Sequence, residues 1–142
     1  MTRARAFGLV VALWLVAGCG AVDRKATLDA AERGVAASVA TTRSAEAAWK
    51  TAEVAAVRVI VAAAPSEAAA RVVLARWDAA SQAVVLAFSA AYRAEGAVLE
   101  AIAAARLQSW VLSGPLLLLA LQKLDAARKD LEAAAAAAKA VK

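Results

Sequence analysis

Histidine is absent from this chain, cysteine occurs once, proline twice and glycine six times, and only 5% of the residues are aromatic. Without histidine there is no Ser-His-Asp or Cys-His arrangement and no imidazole ligand for a metal. One cysteine leaves no partner for a disulfide within the chain. No glycine-rich phosphate loop or dinucleotide fingerprint occurs. The carboxylates are scattered. Glu95 and Glu100 lie five apart and share a helix face poorly, with Arg93 and Arg106 near enough in sequence to solvate them. Asp125–Lys129 and Arg128–Glu132 have the i,i+4 spacing of ordinary surface ion pairs. The expectation is a protein that is not an enzyme and holds no cofactor or metal.

What remains is rich in alanine, with leucine, arginine, lysine and glutamate beside it, the residues that lose least on entering a helix. At 142 residues the chain is one modest domain, large enough for a real core once a leader is removed. High hydrophobicity with little net charge argues against disorder.

The first residues read as an export signal. Met1 to Phe7 carries Arg3 and Arg5 and no acid, and Gly8 to Gly18 is an uncharged apolar run of 11 residues. A basic start, a short apolar stretch and small residues at its exit are the parts of a signal peptide. The run is well short of the ~20 residues that a spanning helix needs.

The exit itself, Leu15-Val16-Ala17-Gly18-Cys19, resembles the lipobox of bacterial lipoproteins. That resemblance covers only the first twenty or so residues, and it implies cleavage between Gly18 and Cys19. Cys19 would then carry a diacylglycerol on its thiol, with the new amino terminus often acylated too. Each buried CH₂ contributes ~0.8 kcal/mol, so two or three acyl chains hold a protein at a membrane where one does not. Gly20 stands where an Asp favours inner-membrane retention in enterobacterial lipoproteins, which points to the periplasmic face of the outer membrane. Of 17 basic side chains, Arg3 and Arg5 leave with the leader, so 15 face 12 acidic ones. A mature chain so mildly positive gives no footprint for nucleic acid.

The body divides at Pro65 and Pro115. Proline lacks a backbone donor and disfavours helix in the residue before it. Ser66 or its neighbourhood can cap a new helix, with Glu67 well placed in its first turn. Gly114 before Pro115 reads as a stop followed by a first-turn residue. The expected fold is an all-α, elongated antiparallel three-helix bundle over residues 19–142, with helices at about 22–63, 66–113 and 115–142.

Heptads support each helix. Leu28, Val35, Thr42, Trp49, Ala56 and Ala63 form a row in the first, with Ala31, Ser38, Ala45, Ala52 and Val59 beside it. In the second, Trp77, Val84, Ala91, Val98, Ala105 and Leu112 are joined by Val73, Ala80, Ala87, Ala94 and Ala101. Leu117, Leu124, Leu131 and Ala138 run down the third, beside Leu121, Ala127, Ala134 and Val141. Seams so rich in alanine bury little area, so Trp49, Trp77, Phe88, Ile102 and Trp110 are the expected anchors. Gly34 and Gly96 each cost a helix about 1 kcal/mol relative to alanine.

Two apolar surpluses stand out. Ala79 to Tyr92 carries no charge and its apolar groups extend beyond one stripe, which suits a helix with two neighbours better than contact with lipid or another protomer. Leu107 to Gln122 is uncharged, with Trp110 and four consecutive leucines. A buried turn closing the bundle is the favoured expectation, and a membrane-dipping or partner-binding tip is the alternative.

Three functional readings follow. The leading one is a lipid-anchored envelope lipoprotein whose bundle is a non-catalytic structural module or binds a protein partner or further copies of itself. The second takes the C-terminal Lys142, which resembles the lysine by which the murein lipoprotein of enteric bacteria is bonded to peptidoglycan. That family is a short single helix forming trimers, and a lysine favourably placed against the helix dipole also accounts for the position. The third is a membrane-active, lysis-type lipoprotein of phage origin.

Overall fold

The computed structural model describes residues 23–108 and 110–141. Their regular structure is entirely helical and forms an all-α bundle of three helices: α1 (Arg24–Ala63), α2 (Glu67–Leu107) and α3 (Trp110–Lys139). Gly18, Cys19 and Lys142 lie outside the described residues.

Helix ends follow local chemistry at two of the three starts. Asp23 caps α1, its Oδ1 accepting from the backbone N–H groups of Lys25 at 3.0 Å and Ala26 at 3.3 Å. Before Pro65, α1 closes with Ala64 N–H donating to the Ile60 carbonyl. Ser66 then caps α2, its Oγ accepting from Ala69 N–H at 3.2 Å, and Glu67 pairs with Arg71 one turn on. These are the boundaries that the proline and the cap predict.

The second break falls elsewhere. The expected stop at Gly114-Pro115 is not a stop: α2 ends at Leu107 and Pro115 lies inside α3. Pro115 withdraws only the one hydrogen bond to the Val111 carbonyl, and Val111 is exposed, so water can serve that oxygen. Gly114 has an ordinary helical backbone and lies under the Trp110 indole, where an added Cβ would meet the ring at 3.6 Å. No local signal ends α2 at Leu107; its cap comes from a distant residue, Arg24.

The chain forms two compact units. The first takes the described residues up to Ala40 and Tyr92–Ala126. Leu28, Ala31 and Val35 of α1 close there on Val98, Ile102 and Ala105 of α2, with Leu117, Ala120 and Leu124 of α3 completing the core. Trp110 packs half-buried against it. Contacts between α1 and α2 run from Asp29–Arg106 to Ser38–Glu95, so these two helices are antiparallel. The second unit takes Thr41–Ala91 and Ala127–Lys142. Trp49 stacks on Trp77 there, ring centroids 5.7 Å apart and planes 19° from parallel, with Val84 and Phe88 also buried.

The leading heptad rows hold except at their ends, where Ala56 is half-buried and Ala63 exposed, whereas most of their companions are corrected. In α2, beyond Ala70, the buried set is Trp77, Ser81, Val84, Phe88, Ala91, Glu95, Val98, Ile102 and Ala105, spaced by alternating fours and threes. The expected companions, from Val73 to Ala101, are only half-buried, and Leu112 is exposed beyond the end of the helix. In α1 the expected Ala45, Ala52 and Val59 are exposed, and Glu46, Glu53 and Ile60 take their places half-buried. The stripe therefore advances by two successive steps of four, Ser38 to Thr42 to Glu46, where one unit gives way to the other. A straight helix drifts ~20° per heptad against a 3.5-residue repeat, and such a stutter absorbs the drift. The α3 row is as expected: Leu117, Leu124 and Ala138 are buried and Leu131 half-buried.

Gly96 sits in the middle of α2 with nothing within 4 Å of an added Cβ. Gly96→Ala is therefore expected to stabilise the protein by about 1 kcal/mol through helix propensity alone. Urea titration followed by circular dichroism checks this, and a loss of stability would mean that the glycine serves a close contact.

Candidate functional site

The described residue closest in sequence to Cys19 is Asp23, so the surroundings of the α1 start are the natural place to look for a site. That start is tied down within the first unit. The Arg24 guanidinium donates to the carbonyls of Ala105 and Gln108, oxygens at the end of α2. The last carbonyls of a helix have no partner of their own, and the negative end of the helix dipole adds to the attraction. One turn back, Arg106 reaches the Asp29 carboxylate at 3.1 Å and also bonds Glu32. These groups are about half exposed, so each pair contributes at most ~1 kcal/mol. Their value is positional: the beginning of α1 and the end of α2 are held side by side.

Around this end the apolar residues divide sharply. Ser113, Gly114, Leu117 and Ala120 face inward, whereas Leu107, Val111, Leu112, Leu116 and Leu119 are exposed. The expected buried turn is thus only half of what is found. The first three turns of α3 have a packed face and a bare apolar one. By length and composition alone α2 and α3 are each apolar enough to cross a membrane, as a core helix also can be. The exposed positions carry the information here.

Glu95 is where the sequence misleads most. Expected as one of the scattered carboxylates that Arg93 and Arg106 could solvate, it is 2% exposed and accepts a hydrogen bond from Ser38 Oγ at 2.7 Å. The available signal was its place in the row Ser81, Phe88, Glu95, Ile102, four residues on from each leading position, but two polar members hide that row. A second pair repeats the pattern in the other unit, where Ser81 Oγ donates to Glu53. Both pairs join α1 to α2 inside one unit. A one-heptad slip would leave the carboxylates among apolar groups, at a cost of several kcal/mol. Neither pair has the exposure to meet a substrate, so the chemistry they offer is register. In the second unit the indole N–H groups of Trp49 and Trp77 are buried with no acceptor among the described residues. Each forfeits about 1–3 kcal/mol of solvation, which the stacked rings must outweigh.

Comparison with protein-family models, curated proteins and solved structures finds no match to this chain.

Ser38→Ala is expected to cost about 1–3 kcal/mol, because it removes a hydrogen bond from a buried carboxylate. Replacing Glu95 by leucine in the same chain should recover most of that loss, since an apolar pair of similar volume leaves nothing unsatisfied. A double-mutant cycle by urea denaturation measures the coupling, and strict additivity would mean that the two side chains do not depend on each other.

Proposed function

We propose that this chain is a lipid-anchored lipoprotein of the bacterial cell envelope whose helical bundle is a non-catalytic structural or protein-interaction module. The observation that carries this reading is the sequence from Arg3 to Cys19: a basic start, an apolar run of 11 residues and Leu15-Val16-Ala17-Gly18-Cys19 at its exit. Cys19 would be the first residue of the mature chain and the site of the lipid. Gly20 favours the outer membrane, facing the periplasm. The position of the first helix supports the same reading, since capping begins at Asp23, four residues after the cysteine. A bundle joined so closely to its anchor stays beside the membrane, where it can meet other envelope components. The polar pairs between α1 and α2, buried in the first unit and part-buried in the second, suit a scaffold in which register matters more than chemistry.

Intact and peptide mass spectra of the membrane-extracted protein test this. A chain that starts at Cys19 and carries acyl mass is expected. The Cys19→Ser variant should be neither cleaved nor acylated. An unmodified chain starting at Met1 would overturn the anchor. The same spectra examine Lys142, where a muropeptide would make the module a tether to the wall.

A further inference from the structure

We infer that the bare face of α3 at the α2–α3 turn is a second membrane contact, lying in the headgroup region of the leaflet that holds the Cys19 acyl chains; this rests on the proposed anchor. Two independent features of the first unit meet at one place. The first is the surface itself. Val111, Leu112, Leu116 and Leu119 cover the outer side of the first turns of α3, and Leu107 stands at the end of α2. Leu107 is 89% exposed, Val111 83% and Leu112 67%. No acidic or basic residue occurs from Leu107 to Gln122. Leu112, Leu116 and Leu119 follow the i, i+4, i+7 spacing of one helix face, and Leu117 and Ala120 show that the adjoining side serves the core. A contiguous exposed apolar face of this kind marks a surface that something covers.

The second feature identifies the occupant. Arg24 fastens the start of α1 to the carbonyls of Ala105 and Gln108, the same turn from which the apolar face begins. Between Asp23 and Cys19 there are only four peptide steps. Fully extended, they reach at most about 14 Å, whatever path they take. An acyl chain on Cys19 therefore brings the bilayer surface within that distance of the α1 start and of the turn fastened to it. Acyl chains in the bilayer and exposed leucines at the same end of the unit have one common solvent, which is the lipid. Trp110, half-buried at the head of α3, has the amphipathic ring that favours the level of the headgroups.

A spin label reads this directly in the full-length chain. When Cys19 is acylated its thiol is blocked, so Leu116→Cys supplies the one free thiol for a nitroxide, at an exposed position that the fold does not need. Ala36→Cys is the reference, exposed on α1 of the same unit and about 18 Å along that helix from Arg24. Both proteins are extracted from bacterial membranes, checked by intact mass and placed in vesicles of phosphatidylethanolamine and phosphatidylglycerol. The expected result is that the label at 116 loses access to an aqueous nickel complex and gains access to oxygen, while the label at 36 remains open to nickel. Equal access to nickel at both positions in an acylated chain would overturn the membrane contact and leave the anchor standing. A label at 116 shielded from both reagents and broadened by a neighbouring spin would show a second copy on the face and overturn it too. Lipid access at both positions would overturn an interfacial placement in favour of deeper immersion. If the mass shows Cys19 without lipid, the anchor fails, and the inferred contact fails with it.

Discussion

The scarcity of large side chains on the buried stripes is the constraint on which the rest of this structure depends. A methyl side chain lets two helices approach but removes little area from water, and at ~25 cal/mol per Å² an alanine seam alone holds a helix pair weakly. Stability must then gather on the few large side chains that stand at the right spacing. In the second unit these are Trp49, Trp77, Val84 and Phe88, and in the first they are Leu28, Val35, Val98, Ile102 and Leu117. The unbroken alternation of threes and fours along α2 puts its anchors on a single stripe. The step of two fours in α1 keeps its buried positions on one stripe against the helix's own drift.

A core so poor in distinctive shapes has little to tell one register from the next. The hydrogen bond from Ser38 to Glu95, and that from Ser81 to Glu53, supply the missing distinction within their units. A buried carboxylate is a poor source of net stability, but a misplaced one is costly, and that penalty selects the alignment. The same logic explains why two serines and a glutamate occupy positions that a leucine could have filled.

At the α2–α3 turn the constraint is of another kind. Arg24 closes the end of α2 from outside, which frees the following residues from any need for a glycine stop. Gly114 is left to accommodate the Trp110 ring, and Pro115 is carried within α3 at the loss of one backbone hydrogen bond. The result is a helix start whose inner face is committed to the core and whose outer face is apolar without an internal partner. That division is what a protein held close to a bilayer can use, and what one diffusing freely would have reason to avoid.

Much of this was legible in the residues alone. Helix propensity and the scarcity of breakers required an all-α chain, Pro65 and Ser66 located the first turn, the leading heptad rows contained the anchors Trp49 and Trp77, and side-chain size alone named Phe88 and Ile102. These are properties of neighbours a few residues apart, where propensity, capping and periodicity act. The proposed export signal and lipid attachment at Cys19 likewise rest on local pattern alone. The end of α2 at Leu107, the burial of Glu95 and the bareness of Leu112, Leu116 and Leu119 were decided only in the tertiary structure. Each depends on a partner far away in sequence: Arg24 for the cap, Ser38 for the carboxylate, and the choice of which face of α3 the core takes. No local pattern encodes such a choice, because a run of leucines offers every face the same hydrophobicity and only packing assigns one of them to the inside.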